Sequence, residues 1–308
     1  MSSEHTAPQL LRGNAKRRRK ERAVRIAFQA AALFSLVVSV AIVVALTGQA
    51  VGWLFDVDLP MLWGDGWFPR QDEFDILTLL LGTLLVAAVA MLVATPLGLG
   101  AALFLSEFAT PRTRRILKPI LEVLAGIPSV VLGYFALTVI QPDVVTTVFG
   151  GAGAFSFLSA GIGVGILTIP LIASVAEDAM YAVPNALREA AYGIGARRRT
   201  VALHVVLPAA VSGIVAALIL GLSRAIGETM VVAIAAGATG GALRTINPFD
   251  GGQTMTGAIS SLAIGSDQVQ GSSLAFPALY FVGLCLFVIT FALNVASERF
   301  VRRVRKAY

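Results

Sequence analysis

Apolar residues run through this chain in long unbroken blocks, neither alternating with polar ones nor forming a single stripe. Six blocks occur, at about 24–48, 75–106, 116–140, 155–177, 208–238 and 276–297. Each reaches the roughly 20 residues that an α-helix needs to cross a hydrocarbon core of ~30 Å. Continuous runs exclude a transmembrane β-barrel, whose strands alternate. The pattern predicts an all-α polytopic membrane protein with six transmembrane helices. The second and fifth blocks are overlong, so they are expected to tilt, kink or project. Pro96, in ATPLGLG, is the expected kink of the second. Gly161 to Gly165 (GIGVG) form a small-xxx-small pattern that admits close helix approach.

The polar residues between the blocks set an orientation. Lys and Arg crowd the N-terminal tail at 12–25, the linkers 107–118 and 178–205, and the C-terminus at 299–306. The alternate linkers hold only Arg70 and Arg244, and the first of them gathers Asp56, Asp58, Asp65, Asp72, Glu73 and Asp75. Six spans with both termini cytoplasmic satisfy the positive-inside bias at every loop. The first block follows a basic segment as a signal peptide would. It exceeds an h-region of about 7–15 residues and lacks an A-x-A site, so it is expected to stay as a span. Residues 1–22 are then a basic cytoplasmic tail near anionic membrane lipid, and 23–308 one six-span transmembrane domain.

Composition agrees. Of 308 residues, 56% are hydrophobic and 14% charged, with mean hydropathy +0.80, which no soluble domain of this size carries. The net charge of +6 is accounted for by the cytoplasmic segments, so no nucleic-acid partner is implied. Cys285 is the single cysteine and lies in an apolar block, which leaves no disulfide framework or cysteine metal site. Motifs G-x-x-x-x-G-K-[ST], G-x-S-x-G, H-E-x-x-H and C-x-x-C are absent, and His5 and His204 lie far apart. No catalytic constellation, metal or cofactor is expected. Any energy the protein uses must come from a separate subunit.

The linker YAVPNALREAAYGIGARRRTVALHVVLP (181–208) carries the sharpest signal. Pro184 suits a first helical turn, and Gly193 and Gly195 suit a helix end. Leu187, Ala190, Ala191 and Ile194 recur at i, i+3, i+4, i+7 as one narrow apolar face. By pattern alone, a helix lying on the membrane and a helix docking a partner are both open. The spacing Glu189-Ala190-Ala191, three residues, Gly195, nine residues, Val205, one residue, Leu207-Pro208 resembles the EAA loop of bacterial ATP-binding-cassette importer permeases. Val205 replaces the family's isoleucine.

In that family the loop, here about 182–208, forms a short coupling helix docked on a separate ATPase. The resemblance implies that Glu189, Ala190, Ala191, Gly195, Leu207 and Pro208 couple this chain to such a subunit. LAGIPSVVLGYFAL (124–137), the stretch 190–230 and GGQTMT (251–256) resemble the C-type permease subunit of phosphate importers (PstC-type), and the A-type subunit is similar in the same places. The resemblance covers about residues 75–305. It implies the type I importer permease fold, a five-helix core preceded here by one extra span, in the bacterial inner membrane. Implied partners are a second permease subunit (PstA-like), an ATPase dimer (PstB-like) and an external phosphate-binding protein (PstS-like), with inorganic phosphate as cargo.

LGLSRAIGETMVVAIA (220–235) places Arg224 and Glu228 inside an apolar block. A charge at the bilayer centre costs roughly 3 kcal/mol or more. One explanation is a self-neutralising i, i+4 pair that fixes packing, although buried pairs rarely outdo apolar residues. The other is a path for an anion, with the guanidinium fork of Arg224 on its oxygens and Glu228 holding that fork when the path is empty. The phosphate-permease resemblance includes this R-x-x-x-E element. Glu122 is a lesser path candidate, with a snorkelling pair to Lys118 as the competing role. Ser129 and Thr229 are possible lining residues, against the habit of membrane hydroxyls to bond their own backbone. Competing functions are a permease for sulfate or molybdate and, in another class, a secondary transporter or channel.

The charge bias makes a direct prediction. After Cys285 is replaced, Asp65→Cys is expected to react with an impermeant thiol reagent in intact cells. Labelling only after permeabilisation would reverse the topology.

Overall fold

A computed structural model of the protein describes residues 15–64, 66–150, 153–237, 241–264 and 274–304. The tail through residue 14 with His5, together with Asp65, Arg305 and Lys306, lies outside them. The chain forms two units, 1–48 and 49–308. The first consists of most of helix α1 (Ala15–Asp56). Its hydroxyls turn inward on their own helix: Ser39 donates to the Ser35 carbonyl at 2.9 Å and Thr47 to that of Val43 at 2.7 Å.

The second unit opens with strands β1 (Gly66–Phe68) and β2 (Glu73–Phe74). Helix α2 (Ile76–Leu103) follows and ends in a π-helical turn, Phe104–Phe108. Helix α3 (Pro111–Leu124) precedes α4 (Ser129–Phe149) and the central α5 (Phe157–Tyr181). Next come the short α6 (Asn185–Gly193), then α7 (Arg198–Ala209) and α8 (Val211–Ile226), which meet at 72°. The short α9 (Met230–Val232) runs into a π-helical turn, Ala233–Gly237. Strand β3 (Ala242–Leu243), α10 (Met255–Ile264) and α11 (Ala275–Val304) complete the order. Among the described residues five helices are long and apolar enough to cross a membrane, six if the bent pair is one span.

That number matches the six apolar blocks, but two blocks divide differently. The third, expected at 116–140, is interrupted: α3 ends at Leu124, and the crossing segment begins at Ser129. Gly126 and Pro128 are the cause, since Pro128 lacks a backbone N–H and keeps Ile127 from the helical region. The fifth, expected at 208–238, starts ten residues earlier, at Arg198, bends after Ala209 and stops at Ile226. Pro208 marks that bend. In the second block α2 continues through Pro96. The sheet, ordered β2-β1-β3 and antiparallel, and the helix α10 were not expected from the apolar pattern.

Close approach of α2 and α5 organises the core. A Cβ added at Gly161 would lie 2.5 Å from the Val89 side chain, and one at Gly165 would lie 3.0 Å from the Ala90 carbonyl oxygen. The GIGVG pattern therefore acts as expected. On the other faces of α5 sit α8, through Gly221, and α4 and α9, through Gly163. Beneath the small sheet, Trp53, Trp67 and Phe74 are buried, with Phe74 5.3 Å from Trp53 and 5.7 Å from Trp67, ring centre to ring centre.

Asp75 joins sheet to bundle. It caps α2 by accepting from the Leu77 amide at 3.0 Å and the Thr78 hydroxyl at 2.5 Å. Fully buried, it also pairs with Arg244 at 2.9 Å, and Arg244 donates onward to the Gly64 carbonyl. The acidic cluster assigned to the outer loop thus includes one structural carboxylate, and its partner is the one basic residue of the last alternate linker.

Gly161→Leu is expected to destabilise the purified protein by about 1–3 kcal/mol through overpacking. Gly100→Ala, on α2 with open space around it, is expected to stabilise by about 0.5–1 kcal/mol. Thermal melting of both proteins checks the pair. Equal melting temperatures would refute the close-approach account.

Candidate functional site

Helix α8 ends at Ile226, so Arg224 and Glu228 do not lie on one continuous helix. Residues 227–229 are non-helical, and the helical path resumes at Met230. The expected i, i+4 pair is not formed. Arg224 is exposed, Glu228 half-buried, and among the described residues neither carries an ion pair or a side-chain hydrogen bond. Gly227 explains the stop: it ends the helix with its N–H on the Ser223 carbonyl at 3.2 Å. A broken helix leaves backbone groups to be satisfied from elsewhere, and such breaks are tolerated at membrane depth where they line a cavity or are buried in protein. Here Thr256, from the GGQTMT stretch, donates to the Glu228 carbonyl at 2.7 Å.

The elements around the break are tightly placed. At Gly133 on α4 a Cβ would lie 3.0 Å from the Val231 Cα, so α4 and α9 touch backbone to backbone. The Thr83 hydroxyl of α2 accepts from the Met255 amide at 2.9 Å, which ties α10 to α2. Beside it the Gln253 side chain is buried, with no hydrogen-bond partner for its amide among the described residues. Ser129 is half-buried at the start of α4. Thr229 spends its hydroxyl locally, donating to the Gly227 carbonyl at 3.4 Å.

Glu122 falls elsewhere. It is exposed on α3, which lies outside the crossing segments, at the rim of a cavity of about 610 Å³ lined also by Arg114, Arg115, Lys118 and Tyr181. Lys118 does not pair with it. Instead Lys118 holds the buried Glu177 and the neighbouring Asp178, each at 2.7 Å. Arg114 completes the cluster: it pairs with Glu177 and lies 3.9 Å from the centre of the Tyr181 ring. Burial would depress the Lys118 ammonium, but the hydrogen bonds it donates to Asp178 and Glu177, and their charges, outweigh burial and raise its pKa above the ordinary 10.5. A raised lysine stabilises fully below its unfolded value. This contribution is therefore intact at neutral pH and lost only on passing through the raised value.

The 181–208 linker folds as a short helix and a turn. Pro184 stands at the N-cap, one residue earlier than expected, and α6 begins at Asn185. Gly195, not Gly193, takes the left-handed conformation that ends the element, at φ +82°. The apolar face expected at Leu187, Ala190, Ala191 and Ile194 splits in two. Leu187 and Ala191 pack on the cluster of Met180, Val183, Val201 and Val206, whereas Ala190 is exposed and Ile194 is 88% exposed. Glu189, Ala190, Gly193 and Ile194 present an outward surface in which two small residues lie between a carboxylate and an isoleucine. Leu207 packs inward and Pro208 is exposed just before the α7–α8 bend.

Four polar residues that matter to this arrangement were not singled out from the sequence: Glu107, Glu177, Arg188 and Thr256. Each acidic one closes an apolar block, in LFLSEF and in ASVAED. That position is a usable signal, since a carboxylate at a membrane boundary calls for a basic partner.

Comparison with known proteins places the architecture. Residues 94–306, more than half the chain, match the family model described as binding-protein-dependent transport system inner membrane component. The phosphate transport system permease protein PstC of Pasteurella multocida (strain Pm70) is 34% identical over 266 residues, 80% of this chain and 80% of that protein. PstC of Mesorhizobium japonicum is 33% identical over 298 residues, 90% of this chain and 88% of that one. In fold, the chain is similar to the inward-facing MetNI methionine ABC transporter, with TM-score 0.57 at 18% identity over 81% of this chain and 100% of that one. It is equally similar to a bacterial ABC transporter for the polysaccharide alginate, with TM-score 0.57 at 14% identity over 92% and 100%. A bundle with bent and broken helices, an outward-facing short helix on the EAA motif and these matches lead to one conclusion: the chain belongs to the family of inner membrane components of binding-protein-dependent transport systems, as an ABC importer permease.

Proposed function

We propose that this chain is the permease subunit of an ATP-driven inorganic phosphate importer and moves the anion inward by alternating access. The observation that carries the reading is Arg224, unpaired among the described residues, beside the break at 227–229. A guanidinium that is exposed on a membrane helix is costly unless a wet path or a second subunit covers it. With no carboxylate on it among the described residues, its planar fork is free for phosphate oxygens. Broken helices in transporters surround their substrates in this way. Glu228, half-buried at the break, then controls access, and Ser129, Thr229 and the buried Gln253 are further lining candidates. The location of Glu122 outside the crossing segments makes it an entry or exit residue rather than a central one. The permease names borne by relatives at 33–34% identity support phosphate as the cargo.

Energy enters through α6. Its outward surface, with Glu189, Ala190 and Gly195 of the EAA spacing exposed, Ala191 turned inward to seat the helix and Leu207 and Pro208 behind, is the docking face for an ATP-binding-cassette ATPase dimer. A second permease subunit completes the path, and an external phosphate-binding protein delivers the anion. Both termini are cytoplasmic, and the basic tail 1–22 lies against anionic lipid.

Glu189→Lys places a cation on the docking face, and Gly195→Val forces a β-branched residue into φ > 0. Both proteins are expected to reach the membrane yet retain less ATPase on purification and take up less phosphate. Wild-type uptake and ATPase recovery in both would reject docking at α6.

Arg224→Gln is expected to abolish phosphate uptake while the complex assembles and hydrolyses ATP. Glu228→Gln is expected to lower uptake less. The double variant Arg224→Met, Glu228→Leu separates path from packing. An apolar pair preserves packing, so a stable but inactive transporter is expected, measured by radiolabelled phosphate uptake. Recovery of uptake would assign both residues to packing.

A further inference from the structure

One buried carboxylate belongs neither to the proposed path nor to the docking face. Glu107 lies on the π-helical turn that ends α2, its side chain 4% exposed. Its Oε1 accepts from the Arg188 guanidinium and from the Ser106 hydroxyl, each at 2.9 Å. Its carbonyl oxygen accepts from Arg198 Nε at 2.7 Å, and that guanidinium sits 5.6 Å from the centre of the Phe108 ring. Arg188 is on α6 and Arg198 opens α7, so one residue holds both sides of the turn at 194–197. Arg188 also donates to the Met180 carbonyl at 2.8 Å and to that of Val183, at the end of α5.

The rest of the attachment is loose by comparison. No residue of α6 is fully buried, and its apolar hold is the half-buried Leu187 and Ala191. Apolar contacts are non-directional and let a short helix slide. A charge-assisted bond to a planar guanidinium fork fixes direction as well as distance. Separating the two would leave Glu107 charged in a site that excludes water. The end of α2 and the helix α6 must therefore move together.

We infer that Glu107 is a positioning residue for energy coupling. Through Arg188 and Arg198 it makes α6, the turn after it and the end of α2 one rigid strut, so that a displacement of α6 reaches the α2–α5 pair undiminished. This rests on α6 as the ATPase-docking helix. Glu107 itself is buried and belongs neither to the proposed path nor to the docking face. Its loss is expected to separate two activities that the wild type keeps together, rather than to remove either one.

The test uses the complex that purifies with this chain, reconstituted in vesicles with its binding protein and inorganic phosphate. The readouts are ATPase retained and phosphate moved per ATP hydrolysed. Glu107→Gln is expected to keep the ATPase and its hydrolysis while the ratio falls about tenfold. Arg188→Lys keeps the charge but not the planar fork, so its ratio is expected to fall between those of the wild type and Glu107→Gln. A single neutralisation can also weaken folding, so the double variant Glu107→Gln, Arg188→Gln removes both charges and strands neither. If it assembles and hydrolyses ATP with the ratio still low, the inference stands. If it transports with the wild-type ratio, the pair serves folding alone and the inference is overturned. Glu189→Lys separates this from the docking reading. Should it retain ATPase and transport, docking at α6 fails. Should it shed ATPase while Glu107→Gln keeps the wild-type ratio, only the strut fails.

Discussion

The rest of the structure depends on how closely α2 and α5 approach. At Gly161 and Gly165 the partner side chains Val89 and Val93 and the Ala90 carbonyl occupy the space a Cβ would need. In hydrocarbon there is little hydrophobic gain in bringing two apolar helices together, so dispersion at short range has to supply the association. Only glycine gives that range here. Because α5 also receives α4, α8 and α9, its packing on α2 sets the frame in which every bent or broken element is held.

That frame fixes where charges can stand. Helix α2, with 28 residues at ~1.5 Å each, is about 42 Å long and outruns a ~30 Å core. The carboxylates beyond its two ends, Asp75 and Glu107, are both buried, and each meets an arginine from a distant linker: Arg244, 169 positions away, and Arg188, 81 positions away. Glu177 near the end of α5 repeats the arrangement with Lys118 and Arg114. Three loops are thereby pinned to one rigid helix pair by directional bonds. Arg224 and Glu228 stand apart from this scheme, in that neither finds a counter-charge among the described residues. The contrast between satisfied boundary charges and unsatisfied internal ones is the physical basis for assigning a path to the latter.

Much of this was legible from residue order. Block length and continuity determined the class and the number of spans, because a bilayer imposes the same length on each crossing helix. The EAA spacing located the short helix α6 and offered Gly193 and Gly195 as its end; the fold uses Gly195, since only a residue without Cβ takes φ +82° freely. The GIGVG pattern located a close contact, although not its partner.

Tertiary structure alone decided the rest, and for one recurring reason: hydropathy averages over a window and does not register how a helix is interrupted. Gly126 and Pro128 separate α3 from α4, and Pro208 and Gly227 divide what reads as a single fifth block, yet the apolar character continues across every one of these breaks. The same limit applies to faces. Leu187, Ala190, Ala191 and Ile194 share one stripe by period, but only the bundle beneath α6 determines that Leu187 and Ala191 turn inward and Ala190 and Ile194 outward. Charge partners are the clearest case. Sequence spacing paired Lys118 with Glu122 and Arg224 with Glu228, since it sees only neighbours along one helix. The fold instead gave Lys118 to Glu177, 59 positions away, and left Arg224 without a counter-charge among the described residues, because the helix ends at Ile226 and Glu228 lies in the non-helical break.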